Sequence, residues 1–315
     1  MRYICIIILL VLCLTLLLLI GCIANTAYSE TATEEPKTEN PQKWSGLTGF
    51  CVWYGQVDGA ADTWLDNGFT EWRGLREYQN TTEVNGSKAA VIAANTKGLK
   101  AIWGVGAQNI TAKNWPNFRQ AILDAAQWAQ DNGVYEFQLG NEEELHVDGT
   151  TMTVDQIIAN LKSVAKDVQE IFINGNVSYS CWEESIDDWI TAGKGDIDIL
   201  ASNIYMGFSS YGETWKTDII NLLNAFGADG TYITEFAPSC SSLEDYSTDE
   251  AVQAAAVTEM IEYIKASGMK RALFYSWQDY PGGFFGAVKA DGTYRLLWDQ
   301  ALLNSGSVES TTVPK

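Results

Sequence analysis

From Trp44 onward the sequence alternates short apolar runs with longer amphipathic stretches, and this alternation restricts the folds open to the chain. Short apolar runs bounded by Gly, Asn or Asp are typical of β-strands, whereas apolar residues spaced three and four apart are typical of helices. Strands that alternate with helices form parallel sheets joined by helical crossovers. The sequence predicts eight strands, at 47–54, 69–74, 99–105, 135–140, 171–180, 197–205, 232–236 and 271–277.

Three amphipathic stretches, 117–131, 153–170 and 248–267, are the clearest helices between these strands. Eight strand and helix units in about 260 residues match the usual size of a closed barrel. An open doubly wound sheet would usually have fewer strands and a glycine-rich phosphate loop, which the sequence lacks. We therefore predict an α/β fold, a single-domain (β/α)8 TIM barrel.

Residues 3–20 form an almost unbroken apolar run, which alone could be a short transmembrane helix. The run ends in a Leu-Ile-Gly-Cys motif at Cys22, which is similar to a lipobox. We therefore predict that 1–22 is a lipoprotein signal peptide and that Cys22 is lipidated. An uncleaved anchor is one alternative, and a plain signal peptide cut after Ala24 or Ala27 is another. All three place the chain at the cell surface or outside the cell, and the favoured one anchors it to the membrane by lipid.

Residues 23–43 are polar and contain almost no apolar side chains, so a flexible tether is expected there. The catalytic barrel is predicted to span 44–304. Residues 305–315 are again polar and lack periodicity, which predicts a disordered tail.

The formal charge of −20 argues against nucleic acid as a partner, because nucleic acid binding depends on Lys and Arg clusters. The sequence has one histidine, His146, and no Cys-X-X-Cys pair, so no metal site and no cofactor are expected. We further expect the chain to act as a monomer. After the predicted signal, Cys51, Cys181 and Cys240 remain, and Cys181 and Cys240 either form a disulfide or stay free thiols.

Two apolar strands each end on a glutamate, Glu142 after Asn141 and Glu235 after Thr234. Catalytic residues of (β/α)8 barrels lie at the carboxyl ends of the strands. Hydrolysis of a glycosidic bond needs one carboxylic acid to protonate the leaving oxygen and a second carboxylate at the sugar carbon. The pair therefore predicts a two-carboxylate glycosidase.

The arrangement resembles clan A, the (β/α)8 retaining glycoside hydrolases, and within it the family 5 cellulase and mannanase type. Asn141-Glu142 matches the clan's strand 4 motif and Glu235 its strand 7 glutamate. Members of the clan also tend to place an arginine, a tyrosine and a tryptophan after strands 2, 6 and 8. Arg73, Tyr205 and Trp277 fall in those places, while Asn203 stands where many members have a histidine. All four are expected to contact the substrate.

Glu142 is predicted to be the acid/base, with a pKa raised by its ionised partner, and Glu235 is predicted to be the nucleophile. Arg73 and the Tyr205 hydroxyl could stabilise the ionised Glu235, and Asn141 could hold the sugar 2-hydroxyl. For Arg73 a salt bridge with Glu71 or Glu77 at the barrel rim is an equally supported alternative. The neighbouring Glu143 and Glu144, and also His146, are expected to be solvated.

The 12 tryptophans suggest a sugar-binding cleft, since sugars pack their apolar faces on aromatic rings. Trp277 is the best candidate platform. Further aromatic residues at or beyond strand ends are predicted to face the cleft, and others at helical positions are predicted to be core. The first group comprises Trp53, Trp72, Trp103, Trp182 and Tyr280, and the second comprises Trp128, Trp189 and Trp298.

Together these features predict a retaining glycoside hydrolase that acts on an oligosaccharide or polysaccharide with β-linkages. An internal cleavage of a β-glucan or β-mannan is favoured. Two alternatives remain: a noncatalytic carbohydrate-binding surface lipoprotein on a degenerate barrel, and a transglycosylase with the same residues.

Overall fold

The computed structural model describes residues 44–305 except 53, 148–149, 207–213, 239–248 and 280–284. The chain divides into two units, Met1–Asn40 and Pro41–Lys315, and every described residue belongs to the second. The predicted signal peptide with Cys22, the tether and residues 306–315 lie outside the described residues. None of the described helices is both long and apolar enough to cross a membrane.

Eight parallel strands close into a barrel in chain order. Each strand pairs with the next one along the chain, and the last pairs with the first, so closure leaves no open sheet edge. The carboxyl ends of all eight strands therefore meet at one end of the barrel. The strands are β1 Leu47–Cys51, β2 Glu71–Glu77, β3 Lys100–Gly106, β4 Glu136–Asn141, β5 Asn176–Cys181, β6 Ile199–Met206, β7 Ile233–Pro238 and β8 Ala272–Phe274.

Helices in the described residues connect the strands, and local sequence sets several of their ends. Thr153 and Gln156 form a capping box at the start of one helix, and Asn80 caps another. Gly98, with φ of 91°, ends the helix that Asn80 begins, because glycine adopts this left-handed conformation without steric cost. The helices are α1 Val57–Asp66, α2 Thr81–Lys97, α3 Trp115–Asp131, α4 Val154–Ile171, α5 Ile186–Ala192, α6 Trp215–Phe226 and α7 Glu250–Ala266, followed by a π-helical turn, Trp298–Leu302.

These elements confirm the predicted single-domain (β/α)8 barrel. The predicted start of the fifth strand is wrong, because Ile171 is the last residue of α4 and β5 begins at Asn176. The apolar run after Glu170 continues the helix instead. The Phe172 N–H donates to the Val168 carbonyl oxygen at 2.7 Å, and the Phe172 ring packs 5.8 Å from Phe137 of β4.

A polar network lies at the amino ends of the strands, opposite the end where catalytic residues were predicted. Arg271 donates from Nε to Glu71 at 2.7 Å and from Nη1 to Glu136. Tyr232 donates its hydroxyl to Glu136 at 2.6 Å, and the Arg271 guanidinium lies 4.0 Å from the Tyr232 ring centre. Glu71 and Glu136 are buried, so Arg271 compensates two carboxylates that are removed from water.

Arg271→Met is expected to lower the free energy of unfolding by about 3–5 kcal/mol, because it leaves two buried carboxylates without their cation. Urea unfolding followed by circular dichroism measures this change. The neighbouring Lys270→Met is the control, since it breaks only an exposed pair with Asp229. An exposed pair is worth at most about 1 kcal/mol. Equal losses in the two variants would show that the buried network is not what stabilises this end of the barrel.

Candidate active site

A cavity of about 610 Å³ opens at the carboxyl ends of the strands. Its wall combines carboxylates, one buried guanidinium and aromatic rings. The lining residues that matter for chemistry are Cys51, Arg73, Asn141, Glu142, Trp182, Glu183, Tyr205, Glu235, Tyr275 and Phe285.

Glu235, near the middle of β7, has hydrogen-bond donors on both carboxylate oxygens. Arg73 Nη1 donates to Oε1 in a salt bridge, and the Tyr205 hydroxyl donates to Oε2. The Cys51 thiol also lies 3.4 Å from Oε1. Glu235 is 8% exposed, and these donors compensate an ionised carboxylate at a position that water scarcely reaches.

Arg73 connects the nucleophile candidate to strand β4. It is 1% exposed, donates from Nε to Gln138 at 2.7 Å, and donates from Nη2 to Asn141 Oδ1 at 2.6 Å. Nη1 contacts Cys51 Sγ at 3.0 Å as well as Glu235. The alternative of a rim salt bridge with Glu71 or Glu77 is therefore wrong.

Glu142 follows β4 in a left-handed conformation, with φ of 55° and ψ of 35°. This region is unfavourable for a non-glycine residue and indicates local constraint from the surrounding structure. The Glu142 N–H donates to the Ser180 carbonyl oxygen at 2.9 Å, and Asn141 Nδ2 lies 3.3 Å from Glu142 Oε2. Burial, together with the charge of Glu235, raises the pKa of Glu142 to about 8.

Glu143 and Glu144, predicted to be solvated, are in fact buried, at 1% and 2% exposure. Glu143 turns back beneath the strand, where Oε1 accepts from the N–H groups of Asn141 and Ala107 at 3.1 Å each. A Cβ atom at Gly140 would come within 2.3 Å of this oxygen, so the glycine makes room for the carboxyl group.

Glu144 is held from two sides inside the barrel wall. Its Oε2 accepts from the Tyr179 hydroxyl at 2.7 Å, and its Oε1 accepts from Trp189 Nε1. Burial raises the pKa of Glu144 to about 7 despite these hydrogen bonds, and burial and the charge of Glu144 raise that of Glu143 to about 8. The acidic run therefore anchors the end of β4 that carries Glu142.

Glu143→Gln is expected to reduce the loss of stability between pH 5 and pH 8. Because burial raises the pKa of Glu143 from 4.5 to about 8, the folded chain binds this proton more tightly than the unfolded chain. The stabilisation is complete below pH 4.5 and is lost as the pH rises toward 8. Urea unfolding at several pH values should show that the unfolding free energy of the variant falls by roughly 1 kcal/mol or more less than that of the unsubstituted protein over this range. Glu259→Gln, on the exposed side of α7, is the control, and identical slopes in all three proteins would contradict the prediction.

Several solved structures have a similar fold. An exo-β-1,4-mannosidase from Opitutaceae bacterium strain TAV5 superposes with a TM-score of 0.63 at 12% identity, over 84% of this chain and 61% of that one. The catalytic domain of the major endoglucanase from Xanthomonas campestris pv. campestris gives a TM-score of 0.59 at 12% identity, over 85% and 95%. A β-glucuronidase from Parabacteroides merdae gives 0.56 at 13% identity, over 80% and 35%.

This chain thus spans less than two thirds of the mannosidase and about a third of the glucuronidase, but nearly all of the endoglucanase domain. The sequence matches no protein-family model and no curated protein. At these identities the similarity establishes the (β/α)8 fold.

Asn203, predicted to contact substrate, lies beneath the cavity wall with 1% exposure. Its Oδ1 accepts from the hydroxyls of Ser180 at 3.0 Å and Thr234 at 2.8 Å. Its Nδ2 donates to Asn141 Oδ1 at 3.1 Å. Because Arg73 donates to the same oxygen, Asn141 is fixed with its NH2 group directed toward Glu142. Asn203 therefore orients Asn141 and is not itself part of the lining.

The predicted tryptophan platform is only partly present, because Trp182 lines the cavity and two other candidates do not. Trp103 is fully buried on the outer face of the barrel, where Nε1 donates to Ser87 at 2.9 Å and the ring lies 4.9 Å from Trp128. Trp277 packs 5.3 Å from the Phe50 ring in the aromatic core. Trp72 is likewise fully buried, while Trp53 and Tyr280 lie outside the described residues.

The cavity also contains residues that sequence reasoning missed. Tyr275 and Phe285 supply rings near Tyr205, at centroid distances of 6.2 and 6.3 Å. Tyr275 falls within the predicted strand, but β8 ends at Phe274, so strand periodicity does not indicate where its ring lies. Cys51 lies at the carboxyl end of β1, and Glu183 lies two residues after β5. Because catalytic residues of barrels lie at the carboxyl ends of strands, their positions could have indicated that they face the cavity.

His146, Cys181 and Cys240 are the remaining titratable residues that the sequence analysis considered. His146 lines the cavity, half-buried, and burial lowers its pKa, so the prediction that it is solvated is only partly right. Cys181 is a free, buried thiol, and Cys240 lies outside the described residues.

Proposed function

We propose that the protein is a retaining glycoside hydrolase that cleaves β-linked glycans, with Glu142 as acid/base and Glu235 as nucleophile. The observation that carries the proposal is the contrast between the two carboxyl groups of one cavity. Glu142 keeps its proton near neutral pH because its pKa is raised to about 8. Glu235 instead forms a salt bridge with Arg73 and accepts a hydrogen bond from the Tyr205 hydroxyl.

In the first step a Glu235 oxygen attacks the anomeric carbon while the bond from that carbon to the glycosidic oxygen breaks. The proton of Glu142 passes to the departing oxygen, and the sugar is left as an ester of Glu235. Arg73 and Tyr205 hold the nucleophile in place, and the NH2 group of Asn141 is available to a sugar hydroxyl beside Glu142.

In the second step the ionised Glu142 takes a proton from water as the water oxygen attacks the anomeric carbon. The ester bond breaks, Glu235 regains its charge, and the product keeps its original anomeric configuration. Retention requires carboxyl groups about 5–5.5 Å apart. The placement of both carboxyl groups on the wall of one cavity supports this mechanism.

We propose a substrate of the kind taken by family 5 cellulases and mannanases, a β-glucan or β-mannan cut internally. Two structures with this fold are named as an exo-β-1,4-mannosidase and an endoglucanase; both names support a β-linked substrate, and only the second supports internal cleavage. The cavity is open and has aromatic rings on its wall, which suits a polysaccharide chain.

We also propose that the chain acts as a monomer at the cell surface or outside the cell, anchored to the membrane by lipid at Cys22. The apolar run before Cys22 and the polar residues 23–43 support this placement. Mass spectrometry of the mature N-terminus tests the anchor: a diacylglycerol mass on Cys22 is expected, and an N-terminus at 25 or 28 would overturn it.

The test of the activity is proton NMR of the sugar released from soluble β-glucan, β-mannan and β-xylan oligosaccharides. We expect the first product to carry a β anomeric proton that later equilibrates. A first product with an α anomeric proton would refute the retaining mechanism. Added acceptor sugar distinguishes hydrolysis from transglycosylation, since a transglycosylase would form longer oligosaccharides in preference to free sugar.

A further inference from the structure

A third carboxyl group lines the cavity and has no place in the two-step reaction. Glu183 lies two residues after β5, next to Trp182, which also lines the cavity. Burial raises its pKa to about 7, with smaller contributions from Asp218 and Glu184. Neither Glu142 nor Glu235 is among the groups that shift this pKa.

The hydrogen bonds of Glu183 leave one oxygen available. Oε2 accepts the N–H of Tyr205 at 3.1 Å, which fixes the carboxyl group against strand β6. Within the described residues Oε1 accepts no hydrogen bond, and the residue as a whole is 6% exposed. Oε1 is not among the fully buried polar atoms, and Glu183 lines the cavity, so this oxygen can accept a hydrogen bond from a group that enters there.

The charges around the cavity restrict that ligand. Apart from Glu142, which keeps its proton near neutral pH, the carboxyl groups of Glu77, Glu83, Glu183 and Glu235 line the wall, against the guanidinium groups of Arg73 and Arg76. Arg73 is already committed to Glu235, Gln138 and Asn141. The stretches between residues 44 and 305 that the structure leaves undescribed contain neither Lys nor Arg in their sequence. An anionic sugar would therefore meet a wall of its own sign.

We propose that Trp182 and Glu183 form a second sugar subsite that binds an uncharged glycosyl unit of the glycan. The apolar face of the sugar ring packs on the Trp182 indole, and a sugar hydroxyl donates to Glu183 Oε1. This proposal rests on the proposed function, because the subsite would bind the unit adjoining the one held over Glu235. The subsite would also select neutral glycans over uronic acid polymers, even though one structure with this fold is a β-glucuronidase.

Oligosaccharide binding by a full chain that carries Glu235→Gln tests the subsite without needing turnover. The probes are cellotetraose, mannotetraose and cellotetrauronate, in which each C6 carries a carboxylate, and isothermal titration calorimetry gives each affinity. We expect one neutral tetrasaccharide to bind at least about tenfold more tightly than the tetrauronate. Adding Glu183→Gln should weaken that neutral tetrasaccharide about tenfold, because an NH2 donor replaces the accepting oxygen.

Glu184→Gln is the matched control, since Glu184 is adjacent in sequence but exposed to solvent. It should leave the affinities unchanged. Trp182→Leu is the second variant, expected to weaken the neutral tetrasaccharide by a similar factor, and thermal unfolding checks that each variant folds. Equal affinities in the Glu183 and Glu184 variants would overturn the proposal, as would tight tetrauronate binding or no binding of either neutral tetrasaccharide.

The same variants separate failure of the subsite from failure of the proposed function. Binding that depends on Glu183, in a protein whose unsubstituted form releases no sugar, would refute hydrolysis and leave the subsite intact. Hydrolysis by the unsubstituted chain, together with binding that does not depend on Glu183, would support the proposed function and refute the subsite.

Discussion

Glu235→Gln is expected to lower kcat by at least about 10⁴-fold, because an amide cannot form the glycosyl ester on which the proposed mechanism depends. The glutamine is nearly isosteric with the carboxylate, so its amide oxygen can still accept from Arg73. The loss should therefore appear in kcat and not in the affinity for oligosaccharide. Release of reducing sugar, with single-turnover kinetics for residual activity, measures the change.

Glu259→Gln is the control for that loss. Glu259 lies on α7 in an exposed pair with Lys216 and does not line the cavity, so its substitution should leave kcat unchanged. If Glu235→Gln retained more than about a tenth of the original rate, the nucleophile would have to be another group.

Glu142→Gln is expected to lower the rate on substrates with poor leaving groups by about 10²–10⁴-fold, which is the usual contribution of a general acid. Ester formation from a dinitrophenyl glycoside should be nearly unaffected, because that leaving group departs without a proton. A burst of dinitrophenol followed by slow turnover would then report the accumulated ester. Equal losses on both kinds of substrate would contradict the assignment of Glu142 as the acid.

The pH profile gives a second, independent check on Glu142. As the acid it must carry its proton, and burial and the charge of Glu235 raise its pKa to about 8. Activity on a natural oligosaccharide should therefore fall as the pH rises through about 8. The Glu142→Gln variant has no titrating group at this position, so its residual activity should lack that alkaline limb. A limb that persists in the variant would assign the titration to another group.

Much of this architecture could be read from the sequence. Apolar runs and helical periods predicted the closed (β/α)8 barrel, because main-chain hydrogen bonding and side-chain burial act over short stretches. The strand-end rule then predicted that Glu142 and Glu235 lie at the same end of the barrel, and the structure places both on one cavity. Arg73 and Tyr205 were predicted beside Glu235, where the structure also places them.

The direction of the side chains near the strand ends was harder to predict from the sequence than the fold. Both Trp103 and Trp277 were predicted at strand ends, but Trp103 lies in the middle of β3. Trp277 follows β8, and both rings pack into the core away from the cavity. A strand alternates its two faces, so a shift of one residue exchanges cavity and core. The sequence does not define where β8 ends, and that boundary decides which aromatic residue reaches the cleft.

The sequence alone determined the class of fold and the chemical groups that the strand ends present. Only the tertiary structure decided that Glu143 and Glu144 are buried supports of β4, that Asn203 orients Asn141, and that Glu183 adds a carboxyl group to the cavity wall. The physical reason is that a polar residue in a loop looks solvated until its partners are known. For Glu143 the donors are two backbone N–H groups, and one of them, from Ala107, comes from a distant part of the chain that only barrel closure brings close.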